Sequence, residues 1–132
     1  MSLEPVFLDV DDVLEMHASQ IEAHGGSEGL RDRGLLESAI AQPQASFAGE
    51  LVHEHLFEMA AAYLFHIVSN HPFVDGNKRT GLLAALVFLD VNGIGIHQPS
   101  DDLYVLTMSV AEGRVDKGGV AAELERIAKL RR

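Results

Sequence analysis

The chain contains no cysteine and no tryptophan among its 132 residues. Without cysteine there is no disulfide framework, no thiolate nucleophile and no cysteine-ligated zinc. Positive charge is scarce: 10 Lys and Arg stand against 20 Asp and Glu, a net of −10. A protein that grips nucleic acid through a broad basic face needs the opposite balance, so no direct nucleic-acid partner is expected. Long apolar runs are also missing. The longest, Leu82 to Leu89, is far short of the roughly 20 residues a membrane-spanning helix needs. Nor does the chain open with a basic stretch followed by an apolar one, so the expected compartment is the cytoplasm and no membrane partner is expected. Hydrophobic residues make up 47% and charged residues 23%, the balance of a folded protein rather than a disordered one. A length of 132 residues suits one core, and the expectation is a single domain over 1–132.

What is present is helical periodicity. The first helix is expected from Val10 to His24, capped by Asp9 and ended by Gly25-Gly26. Its inward face carries Val10, Val13, Leu14, His17 and Ile21. A second helix starts after Asp32, turns Leu35, Leu36 and Ile40 inward and stops at Pro43. Gln44 to His53 has no clear period and reads as a loop or flap. The third helix, Glu54 to Ser69, and the fourth, Asn77 to Val91, are apolar nearly all round, which marks them as central. Ile94 to Gln98 reads as extended or irregular. Ser100 caps a fifth helix with Asp101 and Asp102 in its first turn. The last helix is placed after Gly118-Gly119, with Val120, Leu124 and Ile127 inward and Arg126, Lys129, Arg131 and Arg132 near its end. The expected architecture is a compact all-α bundle of about six helices, its two buried helices joined by the loop His71 to Gly76.

The placement of the cations is more telling than their number. No Lys or Arg occurs in the first 30 residues, from Gly34 to Asn77, or from Thr80 to Gly113. Lys78 and Arg79 therefore stand alone, in the first turn of the fourth helix, where the helix dipole disfavours cations. An anion at that helix start would reconcile them, because free backbone N–H groups point outward there and Gly76 lets a ligand approach the backbone. Solvated side chains, or pairs with Asp75 and nearby Glu residues, are the simpler alternative. His71 suits a cap on the third helix, with Asn70 left-handed and Pro72 blocking continuation, which is the simpler reading of the residue alone, or a general base. Asp75 suits either an N-cap or a carboxylate ligand for Mg²⁺. Asn77 suits an alternative cap or a donor to phosphate, while Phe73 is a structural anchor for the loop. Thr80 and Gly81 read as helix surface and close helix packing. Taken together, a base, a metal carboxylate, an anion cradle and two cations lie between His71 and Arg79, the parts that phosphoryl or nucleotidyl transfer needs.

The stretch His71-Pro72-Phe73-Val74-Asp75-Gly76-Asn77-Lys78-Arg79 resembles the motif of the Fic superfamily, His-Pro-Phe-x-Asp/Glu-Gly-Asn-Gly-Arg-x-x-Arg. The flanks (His24-Gly25-Gly26, Leu56 to Tyr63, Phe88-Leu89 and Asn92-Gly93) resemble the death-on-curing, or Doc, branch. Two positions depart from the general pattern: Lys78 replaces the second Gly, and Leu82 stands at the final Arg. In adenylyl-transferring Fic enzymes that Gly and Arg shape the hole for the distal phosphates, and a lysine there disfavours the usual nucleotide orientation. The Doc branch shares the lysine, and its members are toxins that move the γ-phosphate of ATP to a threonine of elongation factor Tu, halting translation. By this resemblance His71 is the base and Asp75 holds Mg²⁺. Gly76 and Asn77 line the anion hole, Lys78 and Arg79 hold phosphates, and Gln44 to His53 covers the target peptide. Many Fic enzymes also carry an inhibitory Ser/Thr-x-x-x-Glu-Gly/Asn motif. Here His24 and Met108 precede Glu28-Gly29 and Glu112-Gly113 at the relevant spacing, so neither pair fits. The resemblance then implies inhibition by a separate antitoxin.

Competing readings are adenylyl transfer to a protein hydroxyl and a non-catalytic helical interaction module. A histidine-ligated zinc site finds little support. His53 and His55 are two apart and point in different directions on a helix, and no His-x-x-x-His pair shares a face.

Overall fold

Helix α1 covers Val10–His24 and has both boundaries where the sequence places them. In the computed structural model, which describes residues 4–96 and 100–130, Asp9 accepts the Asp12 backbone N–H at 2.8 Å while Asp12 accepts that of Asp9 at 2.9 Å, a reciprocal cap. Val13, His17 and Ile21 are its buried residues. Helix α2 (Arg33–Ala41) is capped by Asp32 and runs into a short 3₁₀ turn over Gln42–Gln44, with Pro43 inside it. Helices α3 (Leu56–Asn70) and α4 (Asn77–Val91) follow, then α5 (Asp101–Ala111) and α6 (Lys117–Lys129). The fold is all-α in character, as the periodicity implies.

Helix α3 is the hub and packs against α2, α4, α5 and α6, while α1 lies against α4. Its apolar circumference is thereby explained, since Met59 to Leu64, Ile67 and Val68 are all buried. Close approach of α3 and α4 depends on Gly81. A β-carbon there would sit 2.9 Å from Val68 Cγ2, inside any normal contact. At the other end of the core Tyr63 is fully buried, and its hydroxyl accepts the Leu8 N–H at 2.8 Å and donates to the Leu8 carbonyl at 3.2 Å. Asn92, just past α4, bridges both the N–H and the carbonyl of Val6. These side chains sew the segment before α1 onto the two central helices. Burial pushes the Tyr63 hydroxyl up to about 12.

Several boundaries differ from the periodicity, each for a local reason. The segment Gln44 to His53 contains two antiparallel strands, β1 (Ser46–Phe47) and β2 (Glu50–Leu51). Both are exposed on every face, so no alternation marks them, and Ala48 takes one of the left-handed turn positions where Asn or Gly would have signalled a hairpin. Helix α3 starts at Leu56 because the Glu58 carboxylate accepts the N–H groups of Glu54 and His55, holding them outside it. Helix α6 starts at Lys117, before the glycines. Asp116 accepts the Gly119 N–H at 2.7 Å, and a cap of this kind outweighs the glycines as a terminator. Thr80 is fully buried rather than on the helix surface. The expectations for His97, Gln98, Arg131 and Arg132 lie outside the described residues.

Candidate functional site

The motif loop is built from its two ends inward. At the first end α3 stops because His71 itself is left-handed, at φ 53° and ψ 53°, with its N–H donating to the Ile67 carbonyl. Asn70 stays helical and spends its side chain on the Leu35 carbonyl at 3.0 Å, so the left-handed position falls one residue later than the sequence suggests. A non-glycine residue in this region costs about 1–2 kcal/mol and persists only where its surroundings enforce it. Arg31 is part of that enforcement. Its guanidinium donates to the carbonyls of His71 at 2.7 Å and Asn70 at 3.0 Å, closing the end of α3 with a cation where the dipole favours one. The backbone N–H groups of Arg31 and Asp32 both donate to the Pro72 carbonyl, and the Val74 N–H donates to Gly29. The loop is thus paired along its length with the segment before α2, and the His71 side chain is left exposed.

In the middle, Phe73 is 1% exposed and anchors the loop in the core. Asn77 fastens the loop from the far side. Its side chain accepts the Phe73 N–H and donates to the Phe73 carbonyl, both at 2.9 Å. This uses the amide oxygen and one of the two amide N–H groups of Asn77, a residue 4% exposed. Helix α4 then begins at Gly76, itself left-handed at φ 82°, with no side-chain cap. Asp75, one residue earlier, does not take the capping role. Its carboxylate turns back to accept the Gly76 N–H at 2.8 Å and the Ser27 N–H at 3.1 Å. The Ser27 and Gly76 donors, with the nearby Arg79 charge, hold the Asp75 carboxyl below the usual carboxylate range. Gly26 makes this pose possible, because a β-carbon there would lie 2.6 Å from the Asp75 oxygen.

These residues surround a cavity of about 480 Å³, lined by Val68, His71, Val74, Asp75, Gly76, Asn77, Lys78, Arg79 and Ala111. Every candidate site residue read from the sequence except the buried anchor Phe73 therefore borders one space. Their roles diverge, however. Lys78 is exposed and has no hydrogen-bond or ion-pair partner among the described residues. Arg79 is half-buried and donates to the carbonyls of Gly25 at 3.1 Å and Gln20 at 3.4 Å, so it also completes the C-terminal end of α1. A neighbouring groove of about 470 Å³, lined largely by apolar side chains of α4 and α5 including Leu82, Leu86 and Leu103, shares Lys78 and Arg79 with this cavity.

The exposed, ionised Asp75 is a hard oxygen ligand of the kind Mg²⁺ takes. No cluster of three or more His, Cys, Asp or Glu able to hold a metal occurs among the described residues. The donor set accordingly fits a cation that arrives with phosphate oxygens and water rather than one caged by protein alone. Sequence reasoning passed over three contributors: Gly26, Arg31 and His17. The last is a histidine among apolar positions on α1, and Gly26 falls in the His24-Gly25-Gly26 stretch that resembles the Doc branch, so Arg31 alone of the three left no visible signal. No helix among the described residues is long and apolar enough to cross a membrane.

The chain is 42% identical over 120 residues to "Toxin Doc" of Mycolicibacterium smegmatis, covering 89% of this chain and 90% of that protein. It is 37% identical over 117 residues to "Protein kinase doc" of Escherichia phage P1, covering 89% and 91%. Residues 7–89, which run from just before α1 through the motif into the last turn of α4, match the model of the Fic/DOC family, and the chain belongs to that family.

Proposed function

We propose that this protein is the toxin of a toxin–antitoxin pair and works as a protein kinase of the Doc type. It would transfer the γ-phosphate of ATP to a Ser or Thr hydroxyl of a translation factor, elongation factor Tu by resemblance, and so arrest translation. The observation that carries this reading is the convergence of an exposed imidazole, an ionised carboxylate and an uncapped helix start bearing two cations on one cavity. The names of the two relatives, one a toxin and one a protein kinase, point the same way.

In this reading His71 accepts the proton of the target hydroxyl as its oxygen attacks the γ-phosphorus. The bond between that phosphorus and the β,γ-bridging oxygen breaks, and ADP leaves. The backbone N–H groups at the start of α4 and the Lys78 ammonium offset the charge on the phosphates. Asp75 would hold Mg²⁺, which supplies charge neutralisation of the polyphosphate when bound. Lys78 stands on the cavity wall where a glycine would leave room, which favours phosphoryl over adenylyl transfer. Neither Glu-Gly pair fits an inhibitory motif, so an antitoxin segment supplied in trans would silence the site. The apolar groove sharing Lys78 and Arg79 gives such a segment a route to the motif.

The test is incubation of the protein with cell extract and ATP labelled at either the γ or the α position. Label transferred from the γ position alone, and lost with His71→Ala, is the expected result. Transfer of α label would establish nucleotidyl chemistry instead, and transfer that survives His71→Ala would remove the proposed base.

A further inference from the structure

A buried histidine that has no part in the proton transfer lies directly beneath the motif loop. His17, on α1, is 6% exposed. Its ring stacks on Phe73 with centroids 3.8 Å apart and planes 5° from parallel. Its Nε2 lies 2.8 Å from the backbone carbonyl oxygen of Asp75, close enough for an Nε2–H to donate to it. The ring also fills the space beside Gly76, within 3.6 Å of where a β-carbon would stand.

The Asp75–Gly76 peptide is trans, so its carbonyl and its N–H point to opposite sides. Holding the carbonyl down against His17 therefore turns the Gly76 N–H away from α1, and that N–H donates to the Asp75 carboxylate at 2.8 Å. One hydrogen bond below the loop thus sets the carboxylate above it. The stack on Phe73 fixes the plane of the imidazole, so the donor can address only this carbonyl. An apolar side chain of similar size would fill the space but leave the carbonyl without its partner.

We propose that His17 is a positioning residue. It fixes the Asp75–Gly76 peptide plane, and through that plane both the carboxylate that takes the divalent cation and the entry to the backbone N–H groups facing the phosphates. The inference rests on the phosphoryl-transfer reading above. It adds a requirement which that reading lacks: α1 must deliver a hydrogen-bond donor, and not merely bulk, to the underside of the loop.

The experiment is Mn²⁺ binding to the full chain in the presence of a non-hydrolysable ATP analogue, followed by water-proton relaxation. Wild type, His17→Phe and His17→Gln are compared after circular dichroism has checked each fold. His17→Phe keeps an aromatic stack and loses the donor, and Mn²⁺ affinity is expected to fall about 10- to 100-fold, the usual loss when a group orienting a metal ligand is removed. His17→Gln keeps an N–H and is expected to recover most of that loss. Equal affinity in wild type and a folded His17→Phe overturns the proposal, as does a His17→Gln variant as weak as His17→Phe. Should only His17→Gln fold, near-native affinity supports the proposal and a tenfold loss overturns it. Failure of both variants to fold assigns His17 to the core alone and overturns it too. A folded wild type that binds no Mn²⁺ with the nucleotide analogue defeats the kinase reading itself, a separate result that takes this inference with it.

Discussion

His71, the proposed base, sits at the expense of local comfort. Its left-handed backbone is unfavourable for any side chain but is held by Arg31 and by the pairing of Pro72 with the segment before α2. Replacing His71 with Gly is expected to raise stability by about 0.5–1 kcal/mol, read from the urea midpoint, because glycine adopts this conformation freely. The same change should abolish phosphate transfer. A variant that gained stability and kept activity would separate the imidazole from the reaction. Gly26 works in the opposite sense. At φ 119° and 2.6 Å from the Asp75 carboxylate, an added β-carbon must displace that group, so Gly26→Ala should cost about 1–3 kcal/mol and weaken nucleotide binding at least tenfold. Unchanged binding would show that the Asp75 pose is not the functional one. The motif residues were legible because they are adjacent in sequence and chemically unusual in an acidic chain. Arg31 was not, and Gly26 was legible only as a helix terminator and a point of resemblance, because the contacts of both with the loop arise only where a distant segment folds onto it.

At the scale of elements, the helices were legible where caps and periodicity agree. Asp9, Asp32 and Ser100 each accept a backbone N–H at the boundary the sequence suggests. Where two signals conflict the capping carboxylate wins, as Glu58 and Asp116 show at the starts of α3 and α6. The exposed hairpin stayed hidden because strands of two residues bury nothing and leave no pattern. Helix α4 is the exception that carries meaning, since it starts without a side-chain cap and with a cation next to its first residue. Lys78→Gly is expected to open the distal part of the cavity and shift labelling from the γ toward the α position of ATP. If the variant transfers only γ label as before, Lys78 does not select the nucleotide orientation. Tyr63 tests the other end of the same helix pair. Tyr63→Phe removes the group that satisfies both backbone atoms of Leu8, and a loss of about 1–3 kcal/mol in denaturant stability is expected.

The whole molecule is an acidic body of net charge −10, and two of its ten Lys and Arg residues, Lys78 and Arg79, stand at the start of α4. A second cluster of ionisable groups lies away from that site, between α3 and α6. Lys117 Nζ is 3.0 Å from His66 Nε2, and burial, followed by the Lys117 charge, pushes the His66 imidazole down to about 4 from an ordinary 6.5. Between these values the unfolded chain binds a proton that the folded chain refuses. This contribution to stability is therefore intact above pH about 6.5 and is lost as the pH falls toward about 4. Wild type should lose more of its thermal midpoint between pH about 7.5 and about 5 than His66→Gln, and parallel curves would contradict the assignment. The proposed seat for a polyphosphate is the cavity at the start of α4, which the His71 imidazole borders. The most direct measurement is a crystal structure of His71→Ala with a non-hydrolysable ATP analogue and Mg²⁺. The account predicts the polyphosphate against the first turn of α4, its terminal phosphate facing position 71 and the metal on Asp75. An empty cavity, or a nucleotide seated with its terminal phosphate turned away from position 71, would contradict it.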